Sequence, residues 1–141
     1  MQINFKRLTE SAVTPYRGTV SSAGYDLIAA APADIPPGEN RLIETGLAME
    51  IPEGYFGGIF ARSGLSVKEG LRPANCVAVI DADYRGEVKV PLYNDSGSDK
   101  HVAKGERIAQ LVLIPFLHAD FNEVDELSDT GRGTGGFGST G

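Results

Sequence analysis

The chain has 141 residues, enough for one domain that buries well over half of the surface its unfolded form exposes. Nineteen acids against 13 bases leave a formal charge of −6 and no basic stripe, which argues against a nucleic-acid partner held through many phosphate contacts. No apolar segment is long enough to span a membrane and the N-terminus lacks the apolar core of a signal peptide, so a soluble cytoplasmic protein is expected.

Residues 2–8 alternate weakly through Ile3 and Phe5 and predict a first strand. Ser11 to Ser22 reads as loop, and Ala23 to Ala30 as a loop entering a short strand. Pro36-Pro37-Gly38 marks Asp34 to Glu39 as a turn. Arg41 to Ile51 alternates in part and stops at a second turn, Pro52-Glu53-Gly54. Tyr55 to Ala61 is strand-like with two glycines, which predicts a bulge or a close backbone approach.

Ser63 to Gly70 alone invites a helix, two turns at most, with Ser63 as its N-cap and Gly70 as its stop. Cys76 to Ile80 is apolar throughout and reads as a fully buried strand, with the Cys76 thiol as a small buried hydrophobe. Val88, Val90 and Leu92 alternate with polar neighbours, so 87–93 is a half-buried strand expected to form a hairpin with 76–80. A last strand spans 107–115. Many short strands, one small helix and frequent Gly and Pro predict an all-β sandwich or barrel. The apolar pattern stops at Leu127, which divides the chain into a 1–127 domain and a 128–141 glycine-rich tail.

Five stretches carry groups with chemistry to offer. Asp81 follows the 76–80 strand, and the hairpin would hold it at a rigid strand end with unpaired peptide groups beside it. Asp81-Ala82-Asp83 with Gly86 resembles the start of a calcium loop, but Arg85 and Leu92 occupy ligand positions, so calcium is rejected. Arg62-Ser63-Gly64 is either an ordinary capped helix start or an anion site with an added guanidinium. Gln110 sits on an otherwise apolar strand face and requires a backbone partner or a ligand; Arg107, Ala109 and Leu111 should share one face and Ile108 and Gln110 the other.

Asp26, at a loop–strand junction, either holds metal-bound water or caps a turn. In the tail, six of the last 11 residues are glycine, which fits a plain disordered end; Arg132, Phe137 and two hydroxyls at intervals fit a lid that clamps phosphate and stacks on a base. His101 and His118 lack ligand spacing and are expected at the surface.

In this order, Ala23-Gly-Tyr-Asp-Leu27, Ala61-Arg-Ser-Gly-Leu65, Val77 to Gly86, Gly105-Glu-Arg-Ile-Ala-Gln110 and Arg132 to Thr140 resemble the five motifs of the trimeric dUTPase family. Ala78 departs from the glycine many members carry beside the base. The resemblance implies a jelly-roll subunit, a homotrimer with shared active sites, and Mg²⁺-dependent cleavage of dUTP to dUMP and pyrophosphate. It further implies that Asp81 activates the attacking water and bonds the sugar 3′-OH, and that Tyr84 packs under the sugar. Asn75, the backbone of Val77, Ala78, Val79 and Ile80, and the Lys89 main chain would read uracil. Arg62, Ser63, Gly64 and Gln110 would hold phosphates, and Asp26 would meet the metal through water. Arg132 would clamp the γ-phosphate, Phe137 would stack on uracil, and Gly138 and Ser139 would complete the cradle from another subunit.

Overall fold

The computed structural model describes residues 1–136 and is almost entirely β. The strands are β1 (Asn4–Arg7), β2 (Tyr25–Ile28), β3 (Ala33–Ile35), β4 (Asn40–Glu44), β5 (Leu47–Glu50) and β6 (Tyr55–Phe60), then β7 (Leu71–Pro73), β8 (Ala78–Ile80), β9 (Lys89–Asn94), β10 (Lys100–Val102) and β11 (Arg107–Pro115). One short helix, α1 (Leu65–Glu69), lies between β6 and β7. A four-stranded sheet has the order β2-β11-β6-β8, a three-stranded sheet the order β4-β9-β7, and β1-β5 and β3-β10 form two further pairs. Every pairing is antiparallel, and neighbours distant in sequence are brought together, as in a jelly roll.

The inner faces of these sheets enclose one apolar core, in which Leu27, Ile35, Ile43, Leu47, Ile59, Leu92 and Ile108 are fully buried. The central strand β11 runs nine residues between β2 and β6. Gly57 and Gly58 of β6 make the close approach their sequence suggests, since added methyls would stand 2.9 Å from Leu111 and 2.7 Å from Phe60.

Several expectations are corrected. The strands at 78–80 and 89–94 form no hairpin: β8 pairs with β6, through Gly57↔Ile80 and Ile59↔Ala78, while β9 lies between β4 and β7. The segment between them therefore passes from one sheet to another. The run before Asp81 is not fully buried either. β8 is an edge strand, so Ala78 faces the core while Val79 is 57% exposed and Val77 is 39% exposed. Cys76 is exposed with φ 59°, closing the turn in which its N–H donates to the Pro73 carbonyl at 3.3 Å.

Ser63 does not cap α1. The residue ahead of the helix is Gly64, already helical at φ −61° and ψ −42°; Ser63 is itself within the helical turn, and no side chain caps the helix start. The helix itself is wound as a single π-type turn. Gly70 stops it as expected, left-handed at φ 68° with its N–H on the Leu65 carbonyl. No helix among the described residues is long and apolar enough to cross a membrane.

Candidate active site

Two cavities collect the residues with chemistry, and they share no lining residue. The first, about 390 Å³, opens beside the C-terminal end of β8. Pairing with β6 holds β8 in place, so Asp81, the next residue, enters the cavity from a fixed backbone. Asn75, Ala78, Val79, Ile80, Tyr84 and Lys89 line the same space. Of the residues expected to read a base, only Val77 stands outside it. Leu42, Glu87 and Pro91 complete the wall. Sequence order gave no hint of these three, because Leu42 and Pro91 arrive from β4 and β9 of the other sheet and Glu87 from the loop just before β9.

The loop from Asp81 to Gly86 is held largely by its own side chains. The Tyr84 N–H donates to the Asp81 carbonyl at 3.2 Å. The Tyr84 phenol donates to the Glu87 carbonyl at 3.0 Å. The Tyr84 ring lies over Gly86, and a Cβ there would stand 2.6 Å from Tyr84 Cζ and push the ring aside. On the opposite wall the Glu87 carboxylate accepts the Gly46 N–H at 2.8 Å and lies 3.2 Å from the Lys89 ammonium. Glu44 bonds Lys89 at 2.9 Å, and it, with Glu87 second, holds the ammonium above its ordinary pKa.

The second cavity, about 230 Å³, is polar and is lined by Gly24, Asp26, Arg62, Ser63, Gly64, Arg107 and Gln110, with Gly18 and Ser22 at its rim. Asp26 is the organising group. Its carboxylate accepts Arg62 Nε at 2.8 Å and Arg107 Nη1 at 3.4 Å, and only 13% of its side chain is exposed. Arg62 Nη1 also reaches the Arg107 carbonyl at 3.2 Å. Two guanidinium groups thus flank one half-buried carboxylate, leaving a local positive excess in an acidic chain.

Arg107 and Gln110 line this cavity together, although simple alternation places them on opposite strand faces. A register shift explains it. Arg107 pairs with Ile28 and Ala109 with Leu27, so β11 carries one extra residue between them, and Ile108, Ala109 and Leu111 are all buried. The Gln110 amide donates to the Ala61 carbonyl at 2.9 Å. Gly24 makes room for it, since a Cβ there would stand 3.1 Å from Gln110 Cβ and Cδ. Gly64 is different: nothing lies within 4 Å of where its Cβ would be, so its backbone is open to approach.

Among the described tail residues, none lines either cavity. Arg132 is exposed and donates through Nε to the Gly135 carbonyl at 2.7 Å, within its own turn. Phe137, Gly138 and Ser139 lie outside the described residues. His101 is exposed beside Asp34 at 2.7 Å, and His118 is exposed as well.

The family model for dUTPase matches residues 10–141, with both cavities and the tail inside the match. The chain belongs to the dUTPase family. It is 49% identical to the deoxyuridine 5′-triphosphate nucleotidohydrolase of Nautilia profundicola over 141 residues, covering 100% of this chain and 99% of the relative. It is 44% identical to the human mitochondrial deoxyuridine 5′-triphosphate nucleotidohydrolase over 141 residues, covering 100% of this chain and 55% of that protein. Among solved structures, the dUTPase of Staphylococcus bacteriophage 80alpha with dUPNHPP superposes with a TM-score of 0.92 at 32% identity, covering 99% of this chain and 98% of that one. A variant dUTPase from phage phi11 of S. aureus, described with a structural Mg(II) ion, gives 0.83 at 28% identity and covers 89% and 98%. These likenesses agree with the jelly-roll reading of the dUTPase fold.

Proposed function

We propose that this chain hydrolyses dUTP to dUMP and pyrophosphate as a homotrimer, with Mg²⁺, in the cytoplasm, keeping uracil out of DNA and supplying dUMP for thymidylate synthesis. The observation that carries the reading is Asp81 fixed at a strand end in a cavity whose size, about 390 Å³, suits a nucleoside. Asp81 would take a proton from a water held in line with the α-phosphorus and fix its direction, the part of phosphoryl transfer a protein most directly supplies. Tyr84, locked against Gly86, would pack where a ribose 2′-OH would otherwise fit. Asn75 and the peptide groups of 77–80 and Lys89 would meet the uracil edge. Cytosine would leave buried groups unpaired, at about 1–3 kcal/mol each.

Arg62, Ser63, Gly64 and Gln110 would hold phosphate oxygens, joined by Arg107, which shares their cavity. Among the described residues no cluster of three or more His, Cys, Asp or Glu could cage a metal. That donor set fits Mg²⁺ held mainly by the triphosphate and water, with Asp26 as an outer contact. When bound, the ion neutralises charge developing on the phosphates. Arg132 would clamp the γ-phosphate as residues 128–141 close over the site, with Phe137 on uracil and Gly138 and Ser139 on the phosphates.

The trimer is supported by what one chain leaves open. The two cavities have no lining residue in common, and in a trimer one copy's nucleoside cavity would meet another copy's phosphate cavity. A pyrophosphate-release assay with all deoxy- and ribonucleoside triphosphates, with and without Mg²⁺, tests the reading. The expected result is release from dUTP alone and only with the metal. Equal release from UTP or dCTP, or ammonia instead of pyrophosphate, overturns it.

A further inference from the structure

We propose that Arg85 is a positioning residue that sets how sharply the site prefers a deoxyribonucleotide, acting through the backbone of the Asp81–Gly86 loop. This rests on the dUTP-hydrolysing reading above. The loop passes between two sheets and belongs to neither. Among the described residues its only backbone–backbone bond is the long one from Tyr84 N–H to the Asp81 carbonyl at 3.2 Å. Arg85 supplies the rest. Its Nη1 donates to the Ala82 carbonyl at 2.7 Å and to the Tyr84 carbonyl at 3.0 Å. One cationic nitrogen therefore spans the loop, tying the residue just after Asp81 to Tyr84. Both bonds are charge-assisted, so they are the strong members of the loop's set.

Two features turn that tether into a specificity device. The Tyr84 ring is already stopped on one side by Gly86 and at its hydroxyl by the Glu87 carbonyl. Its remaining freedom is rotation and drift of the backbone that carries it, and that backbone is what Arg85 holds. In addition, the guanidinium is attached to the exterior: the Arg85 side chain is exposed and borders a shallow surface cavity with Asn4, Lys6 and Glu50, outside the nucleoside cavity. Removing it opens no hole in the core, so an effect on the loop is separable from an effect on the fold.

The test uses the full chain with Arg85→Met, which keeps bulk but donates nothing, and Arg85→Lys, which keeps one cationic donor. Pyrophosphate release from dUTP and UTP gives kcat and KM for each, beside thermal unfolding. Wild-type hydrolysis of dUTP is the control for the underlying reading: its absence would sink that reading and this proposal with it, whereas an unchanged preference with wild-type activity intact sinks this proposal alone. The expected outcome for Arg85→Met is unchanged unfolding, a fall of about 10–100-fold in kcat/KM for dUTP, as for ångström-scale misplacement, and a lower dUTP-to-UTP ratio. Arg85→Lys should recover part of both. An unchanged ratio in Arg85→Met overturns the proposal, whether activity is retained or falls equally for both substrates. If Arg85→Met does not fold, the ratio in Arg85→Lys decides, and a wild-type value there overturns it.

Discussion

Gly24→Ala tests the steric logic of the phosphate-side cavity most directly. A methyl on Gly24 would stand 3.1 Å from Gln110 Cβ and Cδ and would overlap its amide oxygen. Gln110 cannot retreat into β11, because its strand neighbours Ala109 and Leu111 are buried. It must leave its rotamer, at roughly 0.5–1.5 kcal/mol. Doing so breaks its 2.9 Å bond to the Ala61 carbonyl, a loss of about 1 kcal/mol. The sum, about 1–3 kcal/mol, should lower the melting temperature by about 3–10 °C in a domain of this size. The displaced amide also leaves the cavity that holds Arg62 and Ser63, so kcat/KM for dUTP should fall by about 5–30-fold. Gly64→Ala is the matched control. It lines the same cavity, has helical dihedrals and meets nothing within 4 Å, so its melting temperature should not drop. Differential scanning fluorimetry and pyrophosphate release read both quantities. Wild-type melting and kcat/KM in Gly24→Ala would refute the claim that this glycine exists to seat Gln110.

The remaining perturbations bear on the chemistry. Asp81→Asn should cut kcat by at least about 10²–10⁴-fold, the range for a general base, while dUTP still binds by calorimetry; near-normal turnover removes Asp81 from the mechanism. Deleting residues 129–141 should leave the circular dichroism of the core intact and lower kcat sharply, as for a lost lid, and an unchanged rate restores the plain-tail reading. Phe137→Ala should weaken nucleotide binding by about 1–3 kcal/mol if its ring stacks on uracil, and unaltered kinetics would exclude that role.

Much of the architecture was legible because alternation and punctuation were clear. β6 and β11 lie almost where their apolar runs place them, and Gly70 stops α1 as its position suggests. The strands β3, β7 and β10 were not read. Each has three residues, too few to show a period, and β7 ends in Pro73, which an edge strand tolerates. Asp81 was placed correctly at a strand end for an incorrect reason. Sequence proximity suggested that 76–80 would pair with 87–93, whereas long-range pairing with β6 decides where β8 lies. The bulge in β11 was equally invisible. Its cause is pairing with β2, about 80 residues away, and it alone brings Arg107 to the side of Gln110.

The misreading of Cys76 to Ile80 points to what completes the site. An apolar run is a sound signal for burial, yet of this one only Ala78 is buried by this chain. Val79 on the edge strand and Val77 just before it remain exposed, as do Leu117, Phe121, Val124 and Leu127 in the segment after β11. Scattered apolar residues on a surface need no explanation, but these lie along one sheet edge and one extended segment. An open edge beside exposed valines is also a hazard that proteins ordinarily cover. Separately, the nucleoside-sized cavity and the arginine-bearing cavity share no wall within a chain. The proposed trimer answers both facts at once: it would cover the apolar surface and set one copy's Asp81 facing another copy's Arg62 and Gln110. In that proposed assembly catalysis and association would be one property, since the substrate's base and its phosphates would be recognised by different chains.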